Sequence, residues 1–281
     1  MASVFEWQPN RFLQDQPSPQ PFALLVLNQP LKNSSNLRKL WRHCMCKHCP
    51  SMRKKRKNAY SRHTASLRVA ADGGANRLHE LSSFQGKFSN LQVIIGDLDS
   101  LRPSVHNFYT SQHTPAQIIH DTDQETTDFG KAITWIRKTQ PAGTDIIALG
   151  GIGGRIDQGL SQLHHLYLFQ PDPAYADGRI YLLSGSSLTF LLKAGTHRIQ
   201  VKEDGEEEVF GKHVGIIPLQ EPSRITTKGL EWDVTDWETR MGGRVSTSNH
   251  VLPETKVVEV QTTKDVLFTI ALSNTEGEED G

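Results

Sequence analysis

Ala23-Leu24-Leu25-Val26-Leu27-Asn28 is a short, almost wholly apolar run that ends on a polar residue. With apolar side chains pointing both ways, such a strand is buried on both faces, as in a parallel sheet covered by helices. Similar runs recur at Leu67–Ala71, 91–95, 117–119, Asp145–Leu149 and 179–183. Between several of them lie segments with helical spacing. Phe129, Ala132, Ile133 and Ile136 fit one face, and Leu160, Leu163 and Leu166 another. Alternating buried strands and helices predict an α/β domain built on a parallel sheet over residues 21–184.

Working outward, the texture changes after about residue 185. Glycine, threonine and valine become prominent, helical periodicity fades, and β-like runs appear at 197–201, 213–218, 257–261 and Val266–Leu272. These predict an antiparallel β-sandwich or barrel over 185–274. Residues 1–20, rich in Gln, Pro and Asn, read as a flexible arm, and the acidic stretch 275–281 as a disordered tail.

Lysine plus arginine equal aspartate plus glutamate, 31 against 31, so overall charge gives no reason to expect nucleic acid or an anionic membrane as partner. No apolar run has the length needed to span a bilayer. Glu6, Gln8, Asn10, Arg11 and Asp15 interrupt any secretory signal at the N-terminus. The three cysteines all fall between 44 and 49, which argues against a disulfide framework and for a reducing, cytoplasmic location.

Residues 44–64 stand apart. Cys44, Cys46 and Cys49 with His43, His48 or His63 suggest zinc, but structural zinc sites pair separated C-x₂₋₄-C units, and here one tight cluster stands alone. Lys54-Lys55-Arg56-Lys57 reads either as a nuclear localisation patch or as a solvated basic loop. We favour a third reading, a translated intron. Cys44-Met45-Cys46 is encodable with the donor-like string GTATGT, and Thr64-Ala65 with an acceptor-like CAG. Removing the interval keeps the frame and joins His43 through one serine to Ser66-Leu67-Arg68-Val69. A transcript retaining every codon of 44–64 as the dominant form would count against this reading.

The chemistry-bearing residues follow the apolar runs. Asp97-Leu98-Asp99 sets two carboxylates beyond the end of a strand, where open α/β sheets bind ligands. Ser100 caps the next helix or donates to phosphate. Alone this would be a plain Asp-Ser turn, but Asp72 and Asp128 occur in comparable contexts. Asp72-Gly73-Gly74-Ala75-Asn76 leaves its strand through two glycines, which permit close backbone approach. In Gln124-Glu125-Thr126-Thr127-Asp128-Phe129, Thr127 or Asp128 begins a helix whose positive end, with Lys131, suits phosphate. Carboxylate oxygens are hard ligands for Mg²⁺.

Gly150-Gly151-Ile152-Gly153-Gly154-Arg155-Ile156-Asp157 is the most specific element. It is not a Walker P-loop, lacking a closing Gly-Lys-Ser/Thr, and its glycine spacing is not that of a dinucleotide fingerprint. A glycine nest with an arginine is nonetheless an anion cradle. In the second domain, Trp232 offers a face for a flat or cationic ring, and Ser246, Ser248 and Asn249 offer polar groups to a substrate's edge. A core tryptophan beside a polar hairpin explains these residue types equally well.

Taken in order, these motifs resemble the thiamine pyrophosphokinase family, particularly its fungal and animal forms. Asp-Gly-Gly-Ala-Asn, Gly-Asp-x-Asp-Ser, Thr-Asp-Phe-x-Lys, Gly-Gly-x-Gly-Gly-Arg-x-Asp, Gly-Leu-x-Trp-Asp and Ser-Thr-Ser-Asn carry the match, which runs from Leu24 to Asn249. Gln158 and Gln162 depart from the histidine and asparagine usual in bacterial members. The resemblance implies an α/β catalytic domain, a C-terminal β-sandwich and a homodimer. It implies transfer of the pyrophosphoryl unit of ATP to the hydroxyl of thiamine, giving thiamine diphosphate and AMP. It makes Asp72, Asp97, Asp99 and Asp128 the catalytic carboxylates, with Asp72, Asp97 and Asp99 on Mg²⁺. It places Ser100, Gln124, Thr127, Lys131, Gly153, Gly154, Arg155 and Asp157 on ATP, and Trp232, Ser246, Ser248 and Asn249 on thiamine. A metal-dependent phosphatase and a non-catalytic thiamine or nucleotide sensor of the same fold are the rival readings.

Overall fold

The computed structural model describes residues 4–15, 21–31, 34–43, 67–85 and 88–273. Its elements run β1 (Val4–Trp7), α1 (Asn10–Leu13), β2 (Phe22–Val26), α2 (Ser34–His43), β3 (Leu67–Ala71) and α3 (Gly74–Gln85). There follow β4 (Val93–Gly96), α4 (Pro103–Thr110), β5 (Gln117–His120), α5 (Asp128–Thr139), β6 (Asp145–Leu149), α6 (Ile156–Leu168) and β7 (Ile180–Leu183). The rest is strand: β8 (Ser187–Leu192), β9 (Gly195–Gln200), β10 (Phe210–Ile217), β11 (Ser223–Lys228), β12 (Trp237–Thr239), β13 (Ser246–His250), β14 (Val257–Thr262) and β15 (Val266–Leu272). Two compact units result, one from Pro17 to Gly185, the other joining residues up to Gln16 with those from Ser186 on. Among the described residues no helix is long and apolar enough to cross a membrane.

In the first unit the strand order is β7-β6-β2-β3-β4-β5, and every neighbouring pair is parallel. All five residues of β2 and of β3 are buried, as their unbroken apolar character predicts. β5, at the sheet edge, is half exposed, so its 117–119 run is not a doubly covered strand. From β2 the chain walks through β3 and β4 to β5, then returns to the other side of β2 to lay down β6 and β7. The strand order therefore reverses between β2 and β6, and loops leaving such neighbours diverge and open a crevice at their carboxyl ends. β3 pairs normally with β2 and β4. Residues 44–64 lie outside the described residues, as do 275–281.

The inner face of α5 is the expected one, with Phe129, Ala132, Ile133 and Ile136 buried. On α6 the expected face holds at Leu166 but not at Leu160. Its buried residues are Gly159, Gln162, His165 and Leu166, while Leu160 is 57% exposed and Ile156 79%. Beside Leu166, the inner face carries small and polar side chains tied there by hydrogen bonds, which leaves Ile156 and Leu160 outside.

Apart from the one-turn helix α1, the second unit is built of strands. One sheet runs β1-β9-β14-β11-β12, and β13-β10-β15-β8 are antiparallel neighbours in another. Trp7 of β1 stacks on Phe190 of β8 with ring centroids 4.7 Å apart, so the two layers pack face to face. Within the described residues 4–15, the expected arm over 1–20 is instead built into the unit. Val4–Trp7 pairs in parallel with β9, and the Trp7 indole donates to His197 Nδ1 at 3.0 Å within the core. Four residues are too few to show a period, and it is the open edge of β9 that makes them a strand. β11, β12 and β13, rich in Ser, Thr and charge, likewise gave no apolar signal of their own.

Candidate active site

The carboxyl ends of β3 and β4 and the start of α5 bring three acids together. Ligand oxygens of Asp72, Asp97 and Asp128 all lie within 4.8 Å of one another. Asp72 takes a left-handed φ of 40° as the chain leaves β3. The two glycines after it are required by closeness: a Cβ on Gly74 would stand 2.2 Å from the Val26 carbonyl oxygen, and one on Gly73 2.3 Å from Asn28 Nδ2. Gly96, at the end of β4, is enclosed by the acids themselves. A Cβ there would sit 2.7 Å from Asp128 Oδ1 and 2.8 Å from Asp72 Cβ.

Asp72 is only 3% exposed. Its Oδ2 accepts the Ser100 N–H at 3.0 Å, while its Oδ1 is buried without a hydrogen-bond partner. Asp128 Oδ1 accepts the Asp97 N–H at 3.1 Å. Burial pushes both the Asp72 and Asp128 carboxyls above the ordinary carboxylate range, and the Asp97 charge adds to the push on each. Three carboxylates around one point, one with an orphaned oxygen, form the hard-oxygen donor set that a cation such as Mg²⁺ takes.

The acids that lie together differ from the trio Asp72, Asp97 and Asp99 expected on Mg²⁺. Asp99 is exposed and stands outside the cluster, and Asp128 takes the third place. Leu98 adopts φ 65°, and the turn leaves Asp99 donating its N–H to Asp97 Oδ1 at 3.1 Å. Ser100 braces the site mainly through its backbone: its carbonyl accepts from Asn76 Nδ2 at 2.6 Å, and Asn76 Oδ1 in turn accepts the Arg102 N–H.

Thr127 is the N-cap of α5, its Oγ1 accepting the Gly130 N–H at 3.1 Å. Lys131 does not extend toward solvent. It is 4% exposed, donates to the Asp121 carbonyl at 2.9 Å and lies 3.6 Å from Asp128 Oδ1. Asp123 ties the loop before α5 by accepting the Glu125 N–H and the Thr126 hydroxyl, and those bonds hold its carboxyl below the usual range. Gln124 is exposed on that loop.

After β6 the glycine loop winds with φ 81° at Gly150, 46° at Ile152 and 67° at Gly154. The N–H groups of Gly150 and Gly151 both donate to the Leu183 carbonyl, and that of Ile152 to Gln162 Oε1 at 2.5 Å. A Cβ on Gly153 would meet nothing within 4 Å, so that position is open. Arg155 precedes α6, with its Nε 3.1 Å from Asp157 Oδ1, and this pair keeps the Asp157 carboxyl low. Sequence reading gave Gln29 no role, yet its Oε1 lies 3.0 Å from where a Gly154 Cβ would be. The available signal was position alone, on the first loop of the reversal between β2 and β6.

In the second unit Asp233 organises the tryptophan loop, accepting from Gly229 N, Leu230 N and the Thr227 hydroxyl. Trp232 is 55% exposed. Asn249, expected to present its amide to a ligand, instead grips the main chain of Trp232: Oδ1 accepts its N–H at 3.1 Å and Nδ2 donates to its carbonyl at 2.9 Å. Ser246 is half-buried, and Ser248 is exposed with φ 57°. His250, which sequence reading passed over, lies 5.1 Å from the Trp232 ring and 2.6 Å from Glu231 Oε2.

An α/β unit with clustered carboxylates at its strand ends and a glycine-rich loop at the strand-order reversal defines a class of enzymes that handle phosphorylated ligands. Residues 60–175 match "Thiamin pyrophosphokinase, catalytic domain", and residues 196–267 "Thiamin pyrophosphokinase, vitamin B1 binding domain". Thiamine pyrophosphokinase 1 of Arabidopsis thaliana is 37% identical over 269 residues, 90% of this chain and 87% of that protein. Thiamine pyrophosphokinase of Saccharomyces cerevisiae is 27% identical over 258 residues, 73% of this chain and 77% of that one. The solved thiamin pyrophosphokinase from Candida albicans superposes with a TM-score of 0.77, covering 96% of this chain and 93% of that one at 24% identity, a likeness of fold. The chain belongs to the thiamin pyrophosphokinase family and is an enzyme of that family.

Proposed function

We propose that the protein transfers the pyrophosphoryl group of ATP to the hydroxyl of thiamine, yielding thiamine diphosphate and AMP. The observation that carries the reading is the convergence of Asp72, Asp97 and Asp128, with the partnerless Oδ1 of Asp72 inside the group. These three would hold Mg²⁺, and the ion when bound neutralises phosphate charge and polarises the reacting phosphoryl group. Lys131 keeps Asp128 in place from below. Gly153, Gly154 and Arg155, with Ser100, Gln124 and Asp157, line the nucleotide side, where exposed N–H groups and the guanidinium suit polyphosphate.

In this reading the thiamine oxygen attacks the β-phosphorus in line, the new O–P bond forms as the bond to the α,β-bridging oxygen breaks, and AMP leaves. In the same reading Asp99 or Asp128 takes the hydroxyl proton, or positioning alone suffices. Trp232 offers its exposed face to the thiamine rings, with Ser246 and Ser248 as further polar groups for the substrate. We further propose a homodimer, since Ile156 and Leu160 leave one ridge of α6 apolar and exposed, and a cytoplasmic location, in keeping with the sparse cysteines.

Incubation with ATP, Mg²⁺ and thiamine tests the reading. AMP and thiamine diphosphate in equal amounts are expected. Release of phosphate alone would make the protein a phosphatase, and no turnover with retained binding would make it a sensor.

A further inference from the structure

His165 lies on the inner face of α6, buried between two aromatic rings. Phe129 stacks on it at 5.1 Å and 24°, and Phe169 at 5.7 Å and 22°. Its Nδ1 is 2.5 Å from the Ser161 carbonyl oxygen, and its Nε2 is 2.8 Å from Thr127 Oγ1. A carbonyl oxygen can only accept, so Nδ1 carries the hydrogen and the neutral ring presents a lone pair at Nε2. The Thr127 hydroxyl therefore donates to Nε2 and keeps its own oxygen for the Gly130 N–H. Burial lowers the tendency of this imidazole to take a second proton, with the neighbouring His164 acting the same way.

The hydroxyl so oriented caps α5, and the next residue is Asp128. We propose that His165 is a positioning residue for Asp128: its Nε2 lone pair fixes the Thr127 rotamer, and the first turn of α5 thereby holds the Asp128 carboxylate against Asp72 and Asp97. The inference rests on the three carboxylates being a cation site. It makes α6 a brace with two holds one turn apart, Gln162 on Ile152 of the glycine loop and His165 on the cap of α5. Outer partners of metal ligands typically alter metal affinity or activity by about 10–100-fold when removed.

The test uses His165→Phe, which keeps a ring between Phe129 and Phe169 but has no acceptor, and His165→Gln, whose amide oxygen restores one. Thr127→Val removes the hydroxyl. Two readouts do not depend on turnover: Mn²⁺ binding to the nucleotide-free protein by electron paramagnetic resonance, and the ring ¹⁵N signals of His165. The expected results are an Nδ1–H tautomer whose Nε2 signal moves in Thr127→Val, and an Mn²⁺ dissociation constant raised about tenfold in His165→Phe. His165→Gln should recover most of that loss, and His165→Phe should add nothing in the Thr127→Val background. If His165→Phe fails to fold, the tautomer signal and the His165→Gln variant decide. An Nε2–H tautomer, or independent losses from the two sites, overturns the proposal while leaving the cation reading intact. Wild-type protein that takes up no Mn²⁺, or an Asp72→Asn variant that takes it up equally well, sinks the cation reading and this inference with it.

Discussion

Asp128 Oδ1 accepts the main-chain N–H of Asp97 at 3.1 Å, joining the start of α5 to the end of β4 across 31 residues of chain. This bond sets the two carboxylates side by side with Asp72, and Gly96 is the floor on which they meet. Gly96→Ala would place a methyl group 2.7 Å from Asp128 Oδ1. Relieving that clash must move one of the acids, at a stability cost of about 1–3 kcal/mol. Turnover is expected to fall by about two orders of magnitude with the far-ultraviolet circular dichroism unchanged, since catalysis depends on reacting groups held within about an ångström of their productive positions. Near-normal kcat would mean that the cluster is not where the chemistry happens.

Asp72→Asn should separate function from stability. Burial raises the Asp72 carboxyl in the folded state, so folding there binds a proton more tightly than the unfolded chain does. Below the unfolded pKa both states are protonated and nothing is lost. As pH rises toward the raised folded value, the unfolded chain ionises first, stability falls, and the penalty persists at neutral pH. Without divalent cations Asp72→Asn should therefore melt at a higher temperature than wild type at pH 7, with the gap closing below pH 4. Turnover should drop by orders of magnitude. A variant equally destabilised at both pH values would contradict the assigned cause.

Divalent cations should themselves stabilise the wild type. Mg²⁺ added at pH 7 is expected to raise the melting temperature by linkage, and Asp72→Asn or Asp128→Asn should abolish the rise. The same titration at pH 4.5 should show a weaker effect, because protons on the raised Asp72 and Asp128 carboxyls compete with the cation. A Mg²⁺ response that survives both substitutions would place the ion elsewhere.

Asn249 holds the backbone of Trp232 at both its N–H and its carbonyl. Asn249→Leu removes both bonds, leaves those groups to be satisfied anew and loosens the loop, at about 1–3 kcal/mol. The KM for thiamine should rise about tenfold while the KM for ATP stays put, as expected when a positioned binding face is lost. Trp232→Ala should show the same selectivity to a larger degree. Equal changes in both KM values would remove Trp232 from the thiamine side.

Trp7 is a core residue contributed by a strand of only four residues. Trp7→Ala should destabilise the second unit by about 3–5 kcal/mol. Trp7→Phe, which keeps the stacking on Phe190 but removes the indole donor to His197, should cost about 1–3 kcal/mol. Urea unfolding followed by fluorescence measures both, and midpoints unmoved from wild type would return residues 4–7 to the status of a loose arm.

The parts legible in the sequence were those with local causes. Continuous apolar runs named β2, β3 and β6, because a strand buried on both faces needs apolar residues at every position. Aspartates and glycines just past those runs named Asp72, Asp97, Asp128 and the 150–157 loop. That Asp128 rather than Asp99 lies beside Asp72 and Asp97 was not legible, because it depends on the left-handed turn at Leu98 and on where α5 lands against β4. Lys131 and Asn249 were read as groups open to a ligand, yet both are buried and spent on main-chain partners. Nothing in a lysine or asparagine codon tells which atoms will already be engaged.

By itself, then, the amino-acid sequence determined the class of each unit, the apolar strands of the first and the supply of acids and glycines at strand ends, since these follow from side-chain periodicity and backbone freedom within a few residues. Tertiary structure alone decided which acids share a point, that β1 joins the second unit, that Ile156 and Leu160 of α6 face outward, and that His165 reaches Thr127 across 38 positions. Those outcomes depend on hydrogen-bond partners and burial supplied by distant segments, and a donor or a desolvated carboxylate acquires its properties only once the fold has chosen its neighbours.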